Sequence, residues 1–120
     1  MLKIVDNAIC ITRGDDAELE VNIVDGEGTA YTMQDGDKLV LTVRELPDFD
    51  SAVVCQIESE TNRIIISHAD TADAEVGRYS ADIELIADGK HRTVYPTLED
   101  SEMYKVKNFR NFIIMPEVTE

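Results

Sequence analysis

Apolar and polar residues alternate with a period of two along three stretches of the chain, and no other feature constrains its fold as strongly. Between Ala17 and Val24, Ala17, Leu19, Val21 and Ile23 share one face, while Glu18, Glu20 and Asn22 share the other. Between Lys38 and Glu45, Leu39, Leu41 and Val43 point one way, and Thr42 and Arg44 the other. Between Arg78 and Ala87, Tyr79, Ala81, Ile83 and Leu85 alternate with Ser80, Asp82 and Glu84. Successive side chains of a strand point to opposite faces, so each stretch predicts a half-buried β-strand.

Shorter runs extend the pattern. Leu2–Val5 and Ala8–Thr12 read as one N-terminal strand interrupted at Asp6-Asn7. Ala52–Ile57 and Arg63–His68 are predicted to form a hairpin across the polar segment Glu58–Asn62. Ile64, Ile65 and Ile66 are consecutive, which suggests a strand covered on both faces or lying at an interface. His91–Tyr95 and Phe112–Met115 complete the set. Asp25-Gly26, Asp35-Gly36 and Asp88-Gly89 are turn dipeptides, because glycine tolerates the positive φ of tight turns. Asp88-Gly89 in particular reads as a two-residue hairpin loop. One short helical connection is expected near residues 70–76, with Asp70 or Thr71 as N-cap and Gly77 as the stop. Residues 96–110 are polar without a clear period and read as a long loop or arm. Seven to nine short strands in 120 residues predict a single all-β domain over residues 1–120, a sandwich or a barrel.

Charge narrows the function classes. The chain has 25 acidic and 11 basic residues, a formal net charge of −14. Nucleic-acid binding needs Lys and Arg to replace phosphate counterions, so this balance opposes it, and it opposes docking on anionic membranes as well. No apolar stretch approaches the roughly 20 residues that span a bilayer. Met1–Asp6 carries charges at Lys3 and Asp6, unlike a signal peptide. Cys10 and Cys55 both sit in apolar strand-like runs, where cysteine behaves as a small buried hydrophobe. A disulfide between them is not indicated, and synthesis in a reducing cytosol is the expectation.

Groupings that carry chemistry are sparse, and no enzyme is expected. His68 and His91 are the two histidines, each at a strand end, with no metal-ligand spacing around them. Cys55 and His68 flank the expected hairpin, but an apolar strand raises a thiol pKa rather than activating it. The acidic pairs Asp15-Asp16, Asp35 with Asp37, and Asp48 with Asp50 fit no calcium loop, so no metal or cofactor is expected. Arg13-Gly14-Asp15 spells a cell-adhesion tripeptide, read here as a bend that ends the first strand. The remaining candidate is an interaction surface. Tyr95, Tyr104, Phe109 and Phe112 crowd the C-terminal quarter beside Lys105, Lys107 and Arg110, the one basic, aromatic patch on an acidic chain. Tyr, Phe and Arg are enriched in interface cores, although the same aromatics could close the domain core.

The order of these features resembles the N-terminal domains of baseplate upper proteins from phages of Gram-positive bacteria. Ile11-Thr12-Arg13-Gly14-Asp15 carries the resemblance, followed by the alternating Ala17–Val24 strand. Asp35-Gly36-Asp37 then leads into Leu39-Val40-Leu41-Thr42-Val43-Arg44. Gly77-Arg78-Tyr79, Asp82-Ile83-Glu84-Leu85 and the Asp88-Gly89 hairpin follow, so the likeness spans about residues 9–95. It implies an antiparallel immunoglobulin-like β-sandwich used as a non-catalytic assembly module of a phage or prophage tail or baseplate. It further implies protein partners within a virion, self-association into a homo-oligomer, synthesis in a bacterial cytoplasm and residence in the particle. The rival expectation is a carbohydrate- or surface-binding module, calcium-assisted, with Tyr79, Tyr95 or Tyr104 as platforms.

Overall fold

The computed structural model of the chain describes residues 2–5, 8–24, 27–45, 51–95 and 111–117. They form nine strands and one helical turn: β1 (Leu2–Val5), β2 (Ala8–Thr12), β3 (Ala17–Glu20), β4 (Lys38–Arg44), β5 (Val53–Ser59), β6 (Arg63–Ile66), α1 (His68–Thr71), β7 (Gly77–Ala87), β8 (Lys90–Tyr95) and β9 (Phe112–Met115). Seven strands make one sheet in the order β1-β2-β9-β7-β4-β5, with β8 also paired to β7. The other two, β3 and β6, make a separate ladder.

The alternation decides what these sheets bury. Leu39, Leu41 and Val43 on β4 and Ala81, Ile83 and Leu85 on β7 point inward, as do Ile9, Ile11, Phe112 and Ile114 on β2 and β9. Leu19 on β3 and Ile64 and Ile66 on β6 join the same cluster from the smaller sheet. The two sheets therefore pack face to face, giving an all-β, sandwich-like fold. Burying each such Val, Leu, Ile or Phe side chain contributes about 1.5–3 kcal/mol relative to leaving it exposed.

The hairpin of β7 and β8 closes as its turn residues dictate. Ala87 and Lys90 are partners, and the two residues between them, Asp88 and Gly89, have φ of 52° and 72°. Positive φ at both central residues is the type I′ turn that matches strand twist. Asp37 does similar local work. Its buried carboxylate accepts hydrogen bonds from the Tyr31 hydroxyl and the Gln34 N–H, which closes the turn leading into β4.

Several expectations need correction. Leu2–Val5 and Ala8–Thr12 are not one interrupted strand but an antiparallel pair, Leu2 opposite Ile11 and Val5 opposite Ala8. β5 and β6 do not pair as a hairpin. β5 pairs with β4 and β6 with β3, so Glu60–Asn62 carries the chain from one sheet to the other. The helical turn begins two residues before 70 and ends at Thr71. Ser67 occupies the N-cap, and Asp70 at the third helical position accepts the Ser67 N–H, half of a capping box. β3 stops at Glu20, short of the predicted Val24; beyond it the Val21 N–H still donates to the Asn62 carbonyl, and Val24 forms an isolated antiparallel bridge with Ala30. Of the isoleucine triplet, Ile64 and Ile66 are buried and Ile65 is 58% exposed, so the strand is not covered on both faces among the described residues, which leaves the interface alternative for Ile65. One ladder departs from antiparallel pairing: β2 and β9 run parallel, Ile9 beside Phe112 and Ile11 beside Ile114.

Candidate partner-docking site

The basic, aromatic stretch predicted from sequence enters and leaves the fold at one place on β7. β4 covers one edge of β7 from Ser80 to Ile86. On β7, Gly77, Arg78 and Tyr79 pair with β9, and Ile83 to Ala87 pair with β8. Between them lies Ala81. Its N–H donates to Asn111 Oδ1 at 2.7 Å, and its carbonyl accepts from Asn111 Nδ2 at 2.8 Å. N–H and C=O of one strand residue face the same edge, so Ala81 shows that β8 and β9 share the edge opposite β4. The side-chain amide of Asn111 supplies the missing rung between them. Asn111 is fully buried, and its own carbonyl accepts the Ile9 N–H at 2.8 Å. Its side-chain oxygen, its side-chain nitrogen and its backbone carbonyl are thereby all engaged, as buried polar groups require.

Residues 96–110 depart from Tyr95, the last residue of β8, and return at Asn111, just before β9. Tyr95 is half-buried against the core, and its hydroxyl lies 3.5 Å from the Asn111 carbonyl. The two ends of the segment are thus held side by side. Of the residues singled out from sequence, Tyr104, Lys105, Lys107, Phe109 and Arg110 lie outside the described residues. Phe112 needs correction as a docking residue: it is 0% exposed, inside the core, and presents no surface to a partner. Tyr79 likewise is buried at 8% exposure, with its hydroxyl donated to the Glu75 carbonyl, so it is no carbohydrate platform.

The other candidates resolve into internal contacts. The Arg13-Gly14-Asp15 bend is clamped on α1. Gly14, at φ 79°, donates its N–H to Thr71 Oγ1 at 2.8 Å and accepts from His68 Nδ1 at 2.6 Å. Asp16 accepts the His68 backbone N–H at 2.7 Å, and Arg13 pairs with Glu117 at 3.0 Å. His68 is occupied in this clamp rather than poised beside a nucleophile. Burial, with the Asp70 charge adding, pushes the Cys55 thiol up to about 11, far from the thiolate that nucleophilic chemistry needs. Cys10 and Cys55 are both free thiols. Asp48 and Asp50 lie outside the described residues, while Asp37 is engaged by Tyr31. Among the described residues no three His, Cys, Asp or Glu side chains group as a metal site. No described helix is long and apolar enough to cross a membrane.

Two features escaped the sequence reading. Asn111 gave no signal, since a lone polar residue before an apolar run looks like the end of a loop. Lys90 and Arg92 did give one, because they extend the basic patch upstream onto a strand. β8 pairs only with β7 among the described strands, and Lys90, His91, Arg92 and Thr93 are all exposed. His91 Nδ1 lies 2.7 Å from Glu84 Oε1 across the hairpin. Compared with family models, with curated proteins and with solved structures, the chain matches none.

Proposed function

We propose that this chain is a non-catalytic assembly module of a phage or prophage tail or baseplate, acting by docking on other virion proteins or on copies of itself. The observation that carries the docking part is the anchored base of residues 96–110. A segment bearing Tyr104, Lys105, Lys107, Phe109 and Arg110 leaves from the half-buried Tyr95 and returns to the buried Asn111. Fixing both ends lowers the entropy lost when such a segment engages a partner. The particle part rests on the ordered resemblance of residues 9–95, and the immunoglobulin-like topology belongs to the same proposal. A raised Cys55 thiol and a His68 committed to Gly14 support a binding role over a hydrolytic one.

Light scattering at rising concentration, together with pull-downs against the products of neighbouring tail genes, tests this. Self-association or capture of a tail protein is expected. Both should vanish when residues 97–109 are replaced by a Gly/Ser linker that keeps Tyr95 and Asn111. A strict monomer that captures no tail protein overturns the proposal.

A further inference from the structure

We infer that the edge of β8 turned away from β7, on which no described strand lies, takes up an acidic, extended segment of a partner protein as an added strand. This deepens the docking proposal and rests on it for the partner being a protein.

The geometry comes first. Ala87 and Lys90 flank a two-residue turn, so they exchange both backbone hydrogen bonds of their pair. Orientation alternates along a strand. Lys90 and Arg92 therefore turn their backbone groups toward β7, while His91 and Thr93 turn theirs away from it. Among the described strands none lies on that side. An edge of this kind is a template for strand addition, with main-chain hydrogen bonds for affinity and alternate side chains for specificity. Rigid support is present too. The I′ turn fixes one end of β8, and Tyr95, packed on the core, fixes the other.

Charge selects the occupant. Residues 90–110 hold five of the chain's 11 basic residues and three of its 25 acidic ones, a formal +2 against −16 for the remainder. Lys90 and Arg92 stand on the same face of β8, and neither forms an ion pair with a described residue. Elsewhere the described basic residues include Arg13 held by Glu117 and Arg63 held by Glu18 and Glu20. The edge thus presents two cations two residues apart that form no ion pair with a described residue. A strand with acidic side chains at alternate positions matches that spacing, because i and i+2 share a face. Opposite charges across strands stabilise pairing, whereas a basic strand is repelled. Lysine on an edge can also serve only to keep it unpaired; such a guard captures no strand of either charge.

The test uses the full chain and a capped octapeptide of four Thr-Glu repeats, with a Thr-Lys peptide as control. Titration followed by amide NMR is expected to move the His91 and Thr93 signals most and to slow their hydrogen exchange. Binding should weaken about tenfold between low and high salt, as ion pairing at a surface does. K90E/R92E should weaken it by at least about tenfold by the same electrostatics. Thr93→Pro removes an outward N–H without touching the β7 ladder and should abolish binding with the fold retained; if that variant fails to fold, K90E/R92E still decides. No binding of the Thr-Glu peptide, equal binding of the Thr-Lys peptide, or shifts centred on other strands overturns the inference. So does a wild-type dimer that K90E/R92E dissolves without any peptide capture, because the occupant is then a second copy. None of these outcomes depends on tail-gene products or on residues 97–109, so the assembly proposal stands or falls separately.

Discussion

The corner at Arg13–Asp16 and the edge at Lys90–Thr93 look alike as sequence, each a short charged run beside a turn. In the fold they are opposites. At the corner, Gly14 spends both backbone groups on α1, Asp16 caps His68, and Arg13 is held by Glu117. At the edge, His91 and Thr93 face away from β7, the only described strand that β8 pairs with, and Lys90 and Arg92 have no described counter-ion. A motif's availability is decided by where its backbone hydrogen bonds go, and residue identity alone does not report that.

Substitutions can break this contrast, beginning with the locked end of the β7 edge. Phe112→Ala should cost about 3–5 kcal/mol in urea unfolding, the size of a large core truncation; unchanged stability would put Phe112 back on a docking surface. Asn111→Ala orphans the Ala81 N–H and C=O together and should cost about 2–4 kcal/mol, from about 1–3 for each buried group left unpaired with partial relaxation. At the corner, Gly14→Ala places a Cβ at positive φ and 3.2 Å from the His68 ring. About 1–2 kcal/mol is expected from the left-handed conformation, and Thr71→Val should cost a similar amount by removing the acceptor of the Gly14 N–H. Lys90→Ala and Arg92→Ala at the open edge should stay within about 0.5 kcal/mol of wild type, as surface changes do. A larger loss there would mean that the edge is a structural element after all.

Acid sharpens the contrast in a different way. The Tyr31 hydroxyl and then the Gln34 N–H stabilise the Asp37 carboxylate and hold its pKa below the usual aspartate value. A folded-state pKa below the unfolded one means stability that is fully present above about pH 3.9 and lost as pH falls through the lowered value. Asp37→Asn should therefore flatten that part of the acid limb in a stability profile across pH 2–5. An unaltered acid limb would assign the loss to other carboxylates.

Much of the fold was legible because one face of each long strand is buried. The alternations at 39–43 and 79–85 place β4 and β7 nearly to the residue, and Asp88-Gly89 marks its hairpin. Pairing was less legible. Glu58–Asn62 looks like a hairpin loop, yet the chain crosses between sheets there, because Ile64 and Ile66 complete the core from the layer opposite Ile57. The parallel pairing of β2 with β9 joins residues about a hundred positions apart and has no local signature. The docking locus was legible as composition, through Tyr95 and the basic residues that follow it. Assigning Phe112 to the core and recognising the side-chain rung of Asn111 required the three-dimensional register.

That parallel pairing also sets an order of events during synthesis. β2 is made early, but the neighbour that covers its edge is made about a hundred residues later. At roughly 5–20 residues per second, translation leaves that edge waiting for about 5–20 s. Non-local pairings of this kind slow folding, since a long loop must close before the contact forms. Until Phe112 and Ile114 leave the ribosome, the nascent chain exposes Ile9 and Ile11 beside an open strand. The interval in which residues 8–12 are most prone to aggregate, or to need a chaperone, therefore ends with the emergence of β9.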